Sequence, residues 1–202
     1  MEAKMCKFTD KRELISFAKN FTKERVESLE KDVRHCLLGD AAFPALLYCF
    51  STIDLLGALC AGNATKSAPT TQQSKKYMRC FMNYNEEQSS LLMNLFRHKI
   101  VHLAQPSAVI KDNSRRICWR YWHESQEQHL KLVNRPQGSK VQVTSSWEIS
   151  YDYEFNISIS HLVKDIRDSV ESPKGYLASL EKIPDLRDRF EKAIAQIYDP
   201  TN

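Results

Sequence analysis

The chain has 202 residues, of which 42% are hydrophobic, and its 29 Lys and Arg against 25 Asp and Glu leave a net charge of +4. This length and apolar content suffice for one domain with a sizeable core. Only 5 Gly and 7 Pro occur, which disfavours a turn-rich all-β protein, and the modest charge permits an anionic partner without requiring one.

The six cysteines indicate a reducing compartment. None forms a C-x-x-C pair, and Cys49 and Cys60 lie inside an apolar run. Free, buried thiols explain this pattern better than disulfides do. No Cys and His have the spacing of zinc ligands, and the first residues are charged rather than apolar. We therefore expect a cytoplasmic protein with no cofactor and no metal.

Helical periodicity begins close to the N-terminus. Residues 8–19 and 22–38 are charged segments in which apolar residues recur at helical spacing. Thr22 is the predicted N-cap of the second helix, and Gly39 its C-terminal stop. Asp40 is then placed to cap the next helix.

The segment from Ala41 to Ala61 is almost entirely apolar and nearly long enough to span a bilayer. Asp54 near its middle makes a membrane span costly, so we expect a buried central helix and no membrane. A carboxylate on such a helix is rarely unpaired. The expected partner of Asp54 is Arg97, His102 or a backbone group. The alternative is a partly exposed Asp54 at the outer edge of the helix.

Two further helices are predicted at 72–84 and 86–103, after which the hydrophobic period changes. Alternation typical of strands occurs in three segments, 116–122, 129–135 and 147–155. We expect a small antiparallel β-meander over about 115–157. Helices return at 160–171 and 173–198, and Pro184 should kink or divide the last one.

A motif in the helix 86–103 gives the first indication of function. Arg97 and His102 have four residues between them. A polar residue, His98, follows the arginine, aliphatic residues precede His102, and the helix ends soon after. Together with the apolar helix upstream, this resembles the R-x4-6-H signature of the HEPN superfamily of helical domains. The resemblance covers about residues 43–105.

The resemblance implies a HEPN-like helical bundle over residues 1–202, a single domain into which the β segment is inserted. It also implies metal-independent RNA cleavage in a homodimer, where the motifs of two chains face one cleft. His102 would act as acid or base on the 2′-hydroxyl and the leaving oxygen, and Arg97 would bind the scissile phosphate. A toxin or defence system is implied, with an antitoxin or another protein as partner.

The residue chemistry is compatible with these roles. Imidazole titrates near pH 6.5 and can both give and take a proton, and a guanidinium binds phosphate oxygens in pairs. On a regular helix, residues five apart diverge by about 140° and rise about 7.5 Å. A site composed from two chains, or a bent helix end, would bring Arg97 and His102 together. His98 and Asp54 are assigned supporting roles.

Three alternatives stay open at this level. Arg97 can be a structural ion-pair partner, and His102 a histidine favoured near a helix C-terminus. The domain can be a non-catalytic HEPN-like module that binds protein or RNA. Finally, basic residues interleaved with aromatics in the β insert suit single-stranded RNA, although an ordinary amphipathic strand shows the same pattern. The candidate RNA-binding residues there are Arg115, Arg116, Trp119, Arg120 and Tyr121.

Overall fold

The computed structural model describes residues 8–97 and 108–198. The protein is mainly helical with a small β region, as predicted. The helices are α1 (Lys11–Leu38), α2 (Ala42–Ala61), α3 (Thr70–Phe81), α4 (Glu86–Leu92), α5 (Ile159–Glu171), α6 (Tyr176–Lys182) and α7 (Pro184–Tyr198). A π-helical turn, Met93–Arg97, directly follows α4. The strands are β1 (Val109–Asp112), β2 (Arg115–Trp122), β3 (Leu132–Asn134), β4 (Lys140–Thr144), β5 (Trp147–Ser150) and β6 (Tyr153–Ser158).

The charged N-terminal segment forms one continuous helix, and the predicted break at Thr22 is wrong. Thr22 is buried within α1, and its hydroxyl donates to the carbonyl oxygen of Ala18 at 2.7 Å. A threonine can satisfy its hydroxyl in this way inside a helix. An N-cap residue instead accepts a hydrogen bond from an N–H further along the chain. The residue type alone does not distinguish the two uses.

The turn between α1 and α2 depends on Asp40, which has a φ of 55°. The backbone N–H of Ala41 donates to the carbonyl of Cys36 at 2.8 Å, and that of Asp40 donates to Leu37 at 3.3 Å. These bonds form a Schellman motif with its left-handed residue at Asp40. The predicted end of the helix near Gly39 is confirmed, although aspartate rather than glycine takes the left-handed conformation.

The apolar helix α2 is confirmed with almost the predicted bounds. By length and composition it could cross a membrane, but 61% of its most apolar window is buried. A helix buried to this extent is typical of a protein core. The residue that follows α2 is Gly62, whose φ is 72° and whose added Cβ would lie 2.9 Å from the Cα of Arg189. Both the conformation and the close approach require glycine there.

The β region forms a sheet of order β1-β2-β6-β3 and a separate two-stranded hairpin, β4-β5. The central strands β2 and β6 are parallel, with Ile117 opposite Tyr153 and Trp122 opposite Ser158. β1 is antiparallel to β2, and β3 is antiparallel to β6. The predicted antiparallel meander is therefore wrong at its centre. Alternation shows which side chains share a face, but it contains no information about strand direction.

The single alternating segment 147–155 is also divided in the structure. β5 pairs with β4 in the hairpin, whereas β6 pairs with β2 and β3 in the sheet. The backbone N–H of Tyr151 donates to Ser139 at 3.0 Å, and that of Asp152 donates to Arg116 at 2.9 Å. The chain thus changes partner strand between two neighbouring residues while the alternation of side chains continues.

The described residues fall into two compact units. The first takes the described parts of Met1–Lys31, Cys49–Asn85 and Asp165–Asn202, and the second takes Asp32–Tyr48 and Glu86–Lys164. The prediction that residues 1–202 form a single HEPN-like domain stays a prediction.

The core of the first unit is helical. The hydroxyl of buried Tyr77 in α3 lies 2.8 Å from Ser169 Oγ in α5, and the rings of Tyr77 and Tyr176 have centroids 6.1 Å apart. Burial raises the pKa of the Tyr77 hydroxyl well above its usual range. Pro184 divides the C-terminal segment into α6 and α7, as predicted.

Candidate functional site

Arg97 is the last residue of the π-helical turn, and its side chain is half-buried. Met93 and Leu95 in the same turn are fully buried, so the apolar side chains of the turn belong to a packed interior. π-helical turns are rare within helices and frequently occur at functional sites. Arg97 therefore lies at a local change of helix geometry rather than in a regular helix.

The other two residues of the motif region, His98 and His102, lie outside the described residues, and so does the predicted helix end at 103. The pairing of Arg97 with His102 stays a prediction.

Asp54 has a well-defined partner in the first unit. Its Oδ1 accepts a hydrogen bond of 2.6 Å from the hydroxyl of Ser74, which is fully buried in α3. Gly57 allows this contact, because a Cβ there would lie 2.9 Å from the backbone nitrogen of Ser74. The expected pairing of Asp54 with a residue of 86–103 stays a prediction. Ser74 was missed because nothing in the sequence indicates how closely α3 approaches α2.

The five candidate RNA-binding residues share β2 but not one face of the sheet. Side chains alternate along a strand, so Arg115, Trp119 and Tyr121 project to one side, and Arg116 and Arg120 project to the other. The apolar face is defined here as the first side, which also holds Ile117, Tyr153, Phe155 and Ile157. The polar face is the second side, which also holds Cys118, Trp122, Glu154, Asn156 and Ser158.

On the apolar face, the aromatic residues pack inside the second unit. The ring of Phe43, near the start of α2, meets Trp119 edge to face at 5.9 Å and Tyr121 at 6.2 Å. Arg115 donates to Glu87 at 2.6 Å and pairs with Asp112. These contacts make Trp119 and Tyr121 half-buried parts of the core rather than an open surface for stacking bases.

Arg116 on the polar face forms a two-pronged ion pair with Asp152, at 2.9 and 3.2 Å. The hydrogen bond from this guanidinium lowers the pKa of the Asp152 carboxyl. Arg116 also begins a second match to the R-x4-6-H signature, with six intervening residues, which ends at His123. The ring of His123 lies over Tyr121 at 6.2 Å. Tyr121, on which His123 stacks, projects from the face opposite to Arg116, so the two residues of this match lie on opposite sides of the sheet.

The centre of the polar face contains a buried carboxylate. Only 3% of the Glu154 side chain is exposed, and it pairs with Arg135 and, at 3.5 Å, with Arg120. Beside it, Asn156 Oδ1 accepts a 3.0 Å hydrogen bond from the indole N–H of Trp122. The guanidinium of Arg120 lies over the ring of Trp122, 5.7 Å from its centroid.

Two buried donors on this face have no hydrogen-bond partner within the part of the chain that the structure describes. They are Asn156 Nδ2 and Arg135 Nε. Unpartnered buried polar atoms are uncommon in folded proteins. Because Trp122 already donates to Asn156 Oδ1, the orientation of this amide is determined, and its Nδ2 hydrogens need an acceptor from elsewhere.

A cluster of two histidines lies at the end of β6. The backbone N–H of Ser158 donates to His129 Nδ1 at 3.0 Å, and Ser158 Oγ lies 2.9 Å from His161 Nδ1. Ser158 is fully buried, which makes it a structural hydroxyl rather than an accessible nucleophile. Among residues 8–97 and 108–198, no group of three or more metal-ligating side chains is close enough to hold an ion.

Sequence reasoning missed Glu154, Asn156, Trp122 and Arg135 as members of one cluster. The alternation of Glu154 and Asn156 with apolar neighbours was visible, but it indicated solvated positions rather than buried ones. Arg135 falls at the end of the predicted strand segment 129–135. Its approach to Glu154 depends on the pairing of β3 with β6, which local sequence does not reveal.

No family model, no curated protein and no solved structure matches the chain.

Proposed function

We propose that the protein is a HEPN-like, metal-independent endoribonuclease that works as a homodimer and uses Arg97 and His102 in a cleft between two chains. The observation that supports this best is the π-helical turn that ends at Arg97. The turn places Arg97 at a departure from regular α-helical geometry, a feature that frequently occurs at functional sites.

The proposed chemistry needs one charged group and one proton carrier. The ribose 2′-oxygen attacks the neighbouring phosphorus, the bond to the 5′-oxygen breaks, and a 2′,3′-cyclic phosphate forms. His102 takes the proton from the 2′-hydroxyl or gives one to the leaving 5′-oxygen. Arg97 binds the phosphate oxygens and stabilises the charge that develops on them.

The test is cleavage of RNA by the purified protein, with and without EDTA, followed by mapping of the product ends. His102→Ala should lower the rate by roughly 10²–10⁴-fold, because the proton-transfer group is removed. Arg97→Ala should have a comparable effect, and Arg97→Lys should restore little because an ammonium cannot make the two-pronged contact. Activity should survive EDTA.

Matched controls come from Arg116 and His123, the second match to the R-x4-6-H signature in the chain. Arg116→Ala and His123→Ala remove the same residue types from β2 and the loop after it, and should leave the cleavage rate constant unchanged. Wild-type cleavage by His102→Ala would remove the motif from the mechanism. If the wild type cleaves no RNA, the non-catalytic binding module is the function to retain.

Mixing two inactive variants tests the dimeric cleft. A heterodimer of Arg97→Ala and His102→Ala chains keeps one intact arginine and one intact histidine, on different chains. If the site is composed from two chains, the mixture regains activity that neither variant has alone. Light scattering that shows only monomer at assay concentration would contradict the homodimer.

A further inference from the structure

We propose that the polar face of the four-stranded sheet binds single-stranded RNA, with a base stacked on Trp122 and a neighbouring phosphate bound by Arg120. The inference rests on the proposed function only for the choice of RNA as the ligand. The site itself follows from the contacts of four side chains in the second unit.

Arg120 is held loosely enough to change partner. Its side chain is 51% exposed, and its contact with Glu154 is long, at 3.5 Å. Glu154 also pairs with Arg135, so the buried carboxylate keeps a cationic partner when Arg120 moves away. A phosphate can therefore attract Arg120 without leaving an unpaired charge inside the protein.

The movement of Arg120 would uncover a stacking surface. Its guanidinium now lies over the ring of Trp122, in the position that a nucleobase would take. Stacking on an aromatic ring is the main contact by which proteins bind single-stranded nucleic acid, and it tolerates any base. The indole N–H stays bonded to Asn156 Oδ1, so the ring is fixed in place for a base.

The unpartnered donors give this face an additional reason to bind a ligand. Asn156 is only 1% exposed, and among residues 8–97 and 108–198 its Nδ2 has no acceptor. The same holds, among the described residues, for Arg135 Nε. RNA supplies acceptor oxygens on its bases, riboses and phosphates. Asn156 is buried beside Trp122, so its amide would reach the edge of a stacked base only once Arg120 has moved aside, and this contact would then add a base preference to the stacking.

Other aromatic and basic side chains of β2 are less suited to this role. Trp119 and Tyr121 are packed against Phe43, and Arg116 is held by both oxygens of Asp152. The site therefore uses only Arg120 of the five residues that the sequence indicated, and adds Trp122, Arg135 and Asn156.

The experiment measures binding of a short fluorescent single-stranded RNA by anisotropy at several salt concentrations, in a His102→Ala background that prevents cleavage. Arg120→Gln should weaken binding and reduce the slope of log K against log salt by about 0.7, the value for one lost phosphate contact on a single strand. Trp122→Leu should weaken binding about tenfold with an unchanged slope, since it removes stacking and no charge.

Two control variants match these changes. Arg116→Gln removes an arginine from the same strand and face, and Trp147→Leu removes an exposed tryptophan from the hairpin. Both should bind RNA within twofold of the parent protein. Thermal melting shows whether Trp122→Leu is folded. If it is not, Arg120→Gln decides the question, because a half-exposed side chain can be replaced without loss of the fold.

Several outcomes would overturn the inference. These are no binding of RNA by the parent, equal binding by the parent and Arg120→Gln, or binding of double-stranded RNA as tight as that of single-stranded RNA.

The proposed function and this site can be contradicted independently of each other. RNA binding that depends on Arg120 and Trp122, in a wild type that cleaves nothing, supports this site and contradicts the ribonuclease. If the wild type cleaves RNA and Arg120→Gln has an unchanged KM, the result supports the ribonuclease and contradicts this site.

Discussion

The two faces of the four-stranded sheet are built on the same pair of strands and are equally buried at their centres, but they bury different chemistry. On the apolar face, Ile117 and Phe155 are fully buried. On the polar face, Glu154 and Asn156 are buried almost as completely. A buried apolar side chain stabilises the fold roughly in proportion to its area, whereas a buried polar one contributes only when all its bonds are made.

This difference indicates that the polar face is not arranged for stability alone. A buried ion pair is seldom better for stability than an apolar replacement of the same size, and two donors here also have no acceptor in the part of the chain that the structure describes. Sites that depart from good packing and full hydrogen bonding are frequently functional. Stability measurements on matched variants of the two faces therefore test the interpretation directly.

The largest expected effect is on the apolar face. Phe155→Ala should lower the free energy of unfolding by about 3–5 kcal/mol, because it leaves a cavity in the core of the second unit. Urea unfolding measures the change. Trp147→Ala is the control, since it removes a larger aromatic side chain that is mostly exposed, and should change stability by at most about 0.5 kcal/mol. Similar values for the two variants would show that the apolar face is not a packed core.

The next effect is on the polar face. Glu154→Ala should destabilise by roughly 3 kcal/mol, because Arg120 and Arg135 lose their shared carboxylate beside a buried surface. Glu148→Ala is the control: its carboxylate pairs with Lys140 at 2.6 Å but is well exposed, so little should change. A Glu154→Ala protein as stable as the control would mean that the carboxylate is solvated.

A multiple replacement sharpens the same comparison. Changing Arg120 and Arg135 to Met together with Glu154→Leu should recover much of the stability lost in Glu154→Ala, since no charge is then left without a partner. The same protein should lose RNA binding if the polar face is the proposed site. Recovered stability together with full RNA binding would show that RNA does not bind at this cluster.

The smallest effect concerns the exposed pair of Arg116 and Asp152. Arg116 lowers the pKa of the Asp152 carboxyl, so its folded-state pKa lies below its unfolded value near 3.8. The pair's small contribution to stability is then present above about pH 4 and is lost as the pH falls through the folded pKa. Urea midpoints of the wild type and Asp152→Asn should differ slightly at pH 7 and converge at lower pH.

Arg116→Gln serves as the partner variant in this measurement. Combined with Asp152→Asn, it should add no further change, because the two substitutions remove the same interaction. A difference that grows on acidification would show that Asp152 acts through another group.

Several helices could be predicted from the sequence because each has a continuous local signal. The apolar run of α2, the glycine after it and the proline between α6 and α7 act within a few residues of their own positions. Thr22 shows the limit of such signals, since a threonine at an N-cap and one bonded back to a carbonyl look the same in a sequence.

Only part of the candidate site was determined in this way. The R-x4-H motif around Arg97 is a local pattern and could be found directly, while the π-helical turn beside it has no recognised sequence signal. For β2, the sequence predicted which residue types are candidates for RNA binding, but the five candidates come from both faces of the sheet. Alternation separates them only after the strand's bounds and its neighbours are known.

The sequence by itself thus determined a helix-dominated protein with a late β region, a buried apolar helix and a motif centred on Arg97. Tertiary structure alone decided the parallel pairing of β2 with β6, the hydrogen bond between Ser74 and Asp54, and the enclosure of Glu154 by two arginines. The physical reason is the distance in sequence between the residues that interact. Helix periodicity and caps depend on residues three or four apart, whereas these pairings join residues 19 to 36 positions apart, and their register depends on the packing of the whole unit.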